Sequence, residues 1–128
     1  MNNEQLAIIN QVKDAMIAAG FSTVQFMDFD GEVAVFETAE RRGYKKYTVD
    51  VDQAITEDWI QIQSIVYLVE EDDEEIAISE VVTKYDEAMN QTAFDFEIVK
   101  SYKRQATAVK NAAKLAEENH GVMEISNC

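Results

Sequence analysis

Between residues 22 and 51 side-chain polarity alternates, and two Gly-containing turns interrupt the alternation. In the first run Val24, Phe26 and Phe29 alternate loosely, and Asp30-Gly31 follows as a tight hairpin turn. In the second, Val33, Val35 and Glu37 face one way and Ala34, Phe36 and Thr38 the other. Arg41-Arg42-Gly43 makes the next turn. In the third, Tyr44, Lys46, Thr48 and Asp50 alternate with Lys45, Tyr47, Val49 and Val51. A two-residue period cannot be reconciled with a helix, which repeats every 3.6 residues. Turns this short join only antiparallel neighbours. The pattern therefore predicts strands over 22–29, 32–38 and 44–51, paired in that order.

The remaining segments hang on this meander. Leu6, Ile9, Val12, Met16 and Ala19 recur at steps of three and four, which predicts a helix over 3–19. Asn2 or Asn3 caps its start and Gly20 ends it. Residues 59–69 read as a strand, with Ile60, Ile62, Ser64, Val66 and Leu68 on one face. Its second half is apolar on both sides, so that end is expected to be covered on both faces. Residues 76–90 fit two readings. Ile78, Val81, Val82, Tyr85, Ala88 and Met89 make a helical stripe, while the β-branched content favours a strand; the balance is set at helix. Phe94, Phe96 and Ile98 share a face of a strand over 93–100. A final helix over 102–119 carries Tyr102, Ala106, Val109, Ala113 and Ala116 as its buried stripe and stops at Gly121, leaving a frayed tail. The expected architecture is one compact α+β domain over 1–128. It has a mainly antiparallel sheet of about five strands, with the N-terminal and C-terminal helices packed on one face.

Composition excludes more than it assigns. Of 128 residues, 25 are acidic and 11 basic, a net charge of −14. Binding nucleic acid by phosphate neutralisation, or an anionic membrane, needs the opposite sign. One Cys and one His leave no disulfide framework and no Cys/His zinc cluster. No apolar stretch is longer than Ile65 to Val69, which is far short of the ~20 residues of a membrane span. No export signal opens the chain, so residence in the cytoplasm of a cell or host cell is expected. No Pro is present, and no Gly/Ser/Pro-rich linker divides the sequence.

The string Val24-Gln25-Phe26-Met27-Asp28-Phe29-Asp30-Gly31-Glu32 resembles the first motif of haloacid-dehalogenase-type phosphotransferases, an apolar strand followed by Asp-x-Asp-Gly-Thr. The resemblance implies Asp28 as nucleophile, Asp30 as general acid/base and Mg²⁺ between them. Glu32 replaces the Thr, the chain is short for that family's doubly wound core, and the following residues alternate like a return strand instead of opening a helix. The same string is also a fragment of a calcium loop, with Glu37 in place of the closing acid. A hairpin turn at Asp30-Gly31 accounts for the residues more simply. His120 beside a helix end and Cys128 at the terminus do not make a nucleophile pair. No catalytic residue, metal site or cofactor is expected.

Charge distribution carries the functional expectation. Residues 47–99 hold fifteen acidic residues and a single basic one, Lys84, and so the whole net charge. Six of the acids are consecutive: Glu70, Glu71, Asp72, Asp73, Glu74 and Glu75. Asp50, Asp52, Glu57, Asp58, Glu80, Asp86 and Glu87 complete the candidate surface. Segregated like charge costs stability by self-repulsion, where a need for solubility alone is met by scattered charge. The expected function is a small non-catalytic binding protein that recognises a basic surface of a partner protein, with no direct nucleic-acid or membrane binding. Its sharpest form is an inhibitor that mimics nucleic acid and occupies the cationic groove of a nucleic-acid-handling enzyme. In composition the chain resembles small acidic phage inhibitors of restriction and CRISPR nucleases. In element order it is similar to type III secretion chaperones, which implies an acidic, cytosolic homodimer as the alternative; the Mg²⁺-dependent enzyme is the other.

Overall fold

The computed structural model describes residues 1–40 and 43–126. Its elements run α1 (Asn3–Ala18), β1 (Val24–Phe29), β2 (Val33–Glu40), β3 (Gly43–Asp50), α2 (Val51–Glu57), β4 (Ile62–Asp72), β5 (Glu75–Tyr85), β6 (Gln91–Tyr102), α3 (Gln105–Glu118) and β7 (Val122–Ile125). The fold is α+β. Six strands lie side by side in chain order, each antiparallel to the next, and β7 joins parallel to β4.

The N-terminal half follows the sequence pattern closely. Asn2 and Gln5 form a reciprocal capping box on α1, each side-chain oxygen 2.9 Å from the other residue's N–H. Ile9, Val12 and Met16 are buried, but Leu6 and Ala19, expected on the same stripe, are exposed. The β1–β2 hairpin turns on Asp30-Gly31, with Gly31 at φ +101°. Met27 bulges out of β1, since the register shifts between Phe26 and Asp28. Of the second turn, Arg41 and Arg42 lie outside the described residues, as does Cys128 at the tail. Val51, expected to end the third strand, instead opens α2. Asp50 caps that helix by accepting the Gln53 N–H at 2.9 Å. The Asp-x-x-Gln spacing was a legible start signal.

The C-terminal half departs further. β4 starts at Ile62, three residues later than expected, because Asp58 ends α2 in the left-handed region (φ 52°) and the chain must then turn to reach the sheet. Residues 76–85 are strand, not helix: β5 pairs with β4 from Glu75 to Tyr85 without a register shift. The β-branched preference wins because both sides of β5 find partner strands. β6 extends to Tyr102, so α3 begins only at Gln105. Its buried stripe is Ala108, Ala112 and Ala116, while Ala106 and Ala113 are exposed. Residues 122–125 are not frayed. They form β7, and the Ser126 N–H donates to the Val69 carbonyl at 2.8 Å. Gly121 permits this close return, since a Cβ there would sit 2.7 Å from the Ile65 carbonyl oxygen.

The two long helices occupy opposite faces, contrary to the one-face expectation. One core joins Ile9, Val12 and Met16 of α1 to Phe36, Tyr47, Val49 and Ile62. The other joins Ala108, Ala112 and Ala116 of α3 to Tyr67, Val69 and Ile78. Ile62 and Tyr67 lie five residues apart in one unshifted strand, so they point to opposite sides. β4 belongs to both cores.

Candidate interaction face

Directly opposed residues of an antiparallel pair share a face. Three rows therefore cross β4, β5 and β6 on the side that α1 covers elsewhere: Ser64–Thr83–Phe94, Val66–Val81–Phe96 and Leu68–Ser79–Ile98. Among the described residues no helix covers this part of the sheet: α3 packs on the opposite face, and α1 and α2 belong to the core over β2, β3 and the start of β4. Phe94, Phe96 and Ile98 are 58%, 50% and 54% exposed, and Val66, Leu68 and Val81 are half-buried. The covering expected for both sides of β4's end is thus present only over Tyr67 and Val69. A shallow cleft of about 300 Å³ on the open side is lined by Val66, Leu68, Val81 and Phe94, with Lys45 and Glu124 beside them. Single exposed apolar side chains are ordinary, but a contiguous row of them marks a contact surface. The hydroxyl of Ser79, at the centre of the third row, is buried with no hydrogen-bond partner among the described residues.

The six-acid run closes the β4–β5 hairpin. Glu70, Glu71 and Asp72 end β4, Glu75 begins β5, and Asp73-Glu74 is the two-residue turn between them, with Asp73 at φ 54°. Glu70, Asp72 and Glu75 lie on the apolar rows' face, and Glu71 on the other, by the same alternation. The apolar surface thus ends in an acidic hairpin tip, where Asp72 directly opposes Glu75.

The other candidate acids are elsewhere. Asp50, Asp52, Glu57 and Asp58 surround α2, and Asp86 and Glu87 sit in the β5–β6 connection. That end of the β4–β5 hairpin is separated from the tip by the length of β5, roughly 35 Å at ~3.3 Å per residue. Several of these acids serve the fold. Asp50 caps α2, Glu57 accepts from Gln53 Nε2 at 3.0 Å, and Asp86 Oδ1 accepts the N–H groups of Asn90 and Ala88, both at 2.9 Å. The Asn90 N–H contributes most to holding the Asp86 carboxyl below the usual range. Glu80 is on the α3 face, where its carboxylate accepts the Tyr67 hydroxyl at 2.8 Å. Burial, and then that bond, push the Tyr67 hydroxyl well above the ordinary tyrosine value. Glu80 also lines a cleft of about 390 Å³ with Asp95, Glu97, Lys84, Gln63 and Asn119.

At the dehalogenase-like string, β2 follows Gly31 as the return strand. The Asp30 carboxylate is engaged by its own turn: Oδ1 accepts the Val33 N–H at 2.7 Å and the Glu32 N–H at 2.9 Å. These bonds, Val33 foremost, lower its pKa. A group whose folded pKa lies below its unfolded value adds stability above the unfolded value, and this is lost as pH falls through the folded one. Asp30→Ala is therefore expected to lower the unfolding midpoint at pH 7, and the gap from wild type should close as pH falls below about 3.8. A gap that stays constant down to pH 2.5 in urea titrations would show that the charge of this carboxylate does not hold the turn. Among the described residues no group of three or more His, Cys, Asp or Glu side chains converges to hold a metal ion, and no helix is long and apolar enough to cross a membrane.

The sequence pattern placed Phe94, Phe96 and Ile98 together on one strand face but not in the candidate surface, which also left out Asp95 and Glu97. The alternation in 93–98 was the available signal for both. Searches against family models, curated proteins and solved structures find no match to this chain.

Proposed function

We propose that the protein is a non-catalytic binding module that docks a basic partner protein on the open face of β4–β6. The observation that carries this is the juxtaposition of three rows with no helix over them, six of whose nine side chains are apolar, with an acidic hairpin tip on the same face. Exposed aromatic side chains supply most of the affinity at such surfaces, while charge raises the encounter rate and selects the partner. A protein whose cationic surface handles nucleic acid fits this chemistry. The acids around α2, on the far end of the sheet, contribute to the long-range field but not to the contact.

The test begins with affinity capture from native lysate and mass spectrometry, followed by kinetics on the captured partner. Replacing Glu70, Glu71, Asp72, Asp73, Glu74 and Glu75 with Gln or Asn is expected to slow association at least about tenfold and to change dissociation little. Raising salt from about 0.05 to 0.5 M should reproduce the effect on the wild type, because the Debye length falls from roughly 14 to 4 Å. Association that ignores both changes would overturn the electrostatic half of the proposal and point to an apolar, partly unfolded client instead.

A further inference from the structure

We propose that β6 is an acceptor edge, which takes up an extended segment of the partner as an additional strand alongside Ala93–Ile98. This rests on the reading that the β4–β6 face is the docking surface, and it specifies the chemistry of what docks there.

β6 ends the strand order and pairs only with β5. Its twelve residues, all exposed except Tyr102, make no backbone hydrogen bonds on the outer side among the described residues. Register shifts interrupt the β5–β6 ladder between Ile78 and Ser79 and between Lys84 and Tyr85, which leaves Ala93–Ile98 in unbroken register with Ser79–Lys84. Along such a run every second residue turns its N–H and C=O outward, unpaired. The opposite edge, β1, has only six residues and a bulge at Met27, two features that blunt an edge against pairing. The regular run of β6 has neither.

The side chains of that run specify its occupant. Phe94, Phe96 and Ile98 face the apolar rows, and Ala93, Asp95 and Glu97 face the α3 side. A strand added here places its own side chains next to these, apolar beside apolar and opposite charge beside Asp95 and Glu97. The matching segment is about six residues long and alternates apolar with Lys or Arg. Main-chain bonds then supply affinity and the two side-chain rows supply register and selectivity. A second copy of this chain is a poor occupant. Antiparallel self-pairing centred on Phe96 would set Asp95 against Glu97 twice, and would bring together two chains of net charge −14.

The probe is an end-blocked eight-residue peptide alternating Val and Lys, compared with a peptide of the same composition in two blocks and with a Val/Glu alternation. The alternating Val/Lys peptide is expected to bind at least about tenfold more tightly than either. N-methylation of alternate residues should weaken it at least tenfold in one phase and leave it nearly unchanged in the other, because only one set of N–H groups meets the edge. Alternate amides of residues 93–98 should gain protection from hydrogen exchange. The double variant Asp95→Lys, Glu97→Lys should switch preference to the Val/Glu peptide. No binding at millimolar peptide, or equal affinity for both methylated forms without protection in β6, would overturn strand addition. If the captured partner were still lost on substituting Phe94 and Phe96, the docking face itself would survive that result. Indifference of the partner to those substitutions would remove the face as well.

Discussion

Replacing Phe94 and Phe96 together with Ser is expected to weaken the partner complex at least about 100-fold while the protein remains folded. Aromatic side chains at the centre of an interface cost about 2 kcal/mol or more each on truncation, and ~1.4 kcal/mol is a factor of ten. Two such losses multiply to well over a hundredfold even with partial non-additivity. The same residues contribute little to folding, since each leaves half or more of its surface in water. The variant should unfold within about 1 kcal/mol of wild type, as surface substitutions away from caps and buried networks do. The effect should appear mainly in dissociation, in contrast to the hairpin-tip acids, whose removal slows association. An unchanged complex from a variant with native circular dichroism would mean that the apolar rows are not the contact.

Which parts of this arrangement were legible depends on how local the cause is. The β1–β2 hairpin is written in six or seven residues, because Asp30 supplies the turn's acceptor and Gly31 its positive φ. The start of α1 is equally local, resting on Asn2 and Gln5. β5 is not local. Apolar residues on both of its sides, Ile78 and Val82 toward α3 and Val81 toward the open face, add up to steps of three and four that imitate a helix. β7 is four residues whose place depends on α3 returning the chain to β4. The candidate face lies at the far end of this scale. The alternation of Phe94, Phe96 and Ile98 fixes that they share a side, but only the placement of α1 and α3 on opposite faces decides that the side is open. The acidic run was conspicuous in sequence for its charge. Its role as a hairpin tip depended on assigning β5, and the helical periodicity there concealed it.

Phe36→Ala should be the most destabilising of the substitutions considered, at about 3–5 kcal/mol out of the ~5–15 typical of a domain. Phe36 is fully buried in the α1 core, opposite Tyr47 in the β2–β3 ladder, with its ring 5.9 Å from that of Phe26. Tyr47 in turn packs against Phe21 at 5.4 Å and Tyr85 at 5.7 Å, so the cavity would open inside a connected aromatic group. Because Tyr85 ends β5 and Ile62 begins β4, the damage reaches strands that also carry the second core. The two cores are therefore expected to melt together. In urea the midpoint should fall by roughly 2 M, given a slope of about 2 kcal/mol per M, with the slope unchanged. The single Trp, Trp59, is half exposed in the α2–β4 connection, and its fluorescence follows the stretch of chain that its neighbour Ile60 anchors in the first core. Far-ultraviolet circular dichroism reports on the whole sheet, and coincident transitions by the two probes are the signature of one cooperative unit. A Trp59 transition that precedes the loss of sheet signal would show that the α1 core unfolds alone. β4 would then join two separable layers and not bind them into one.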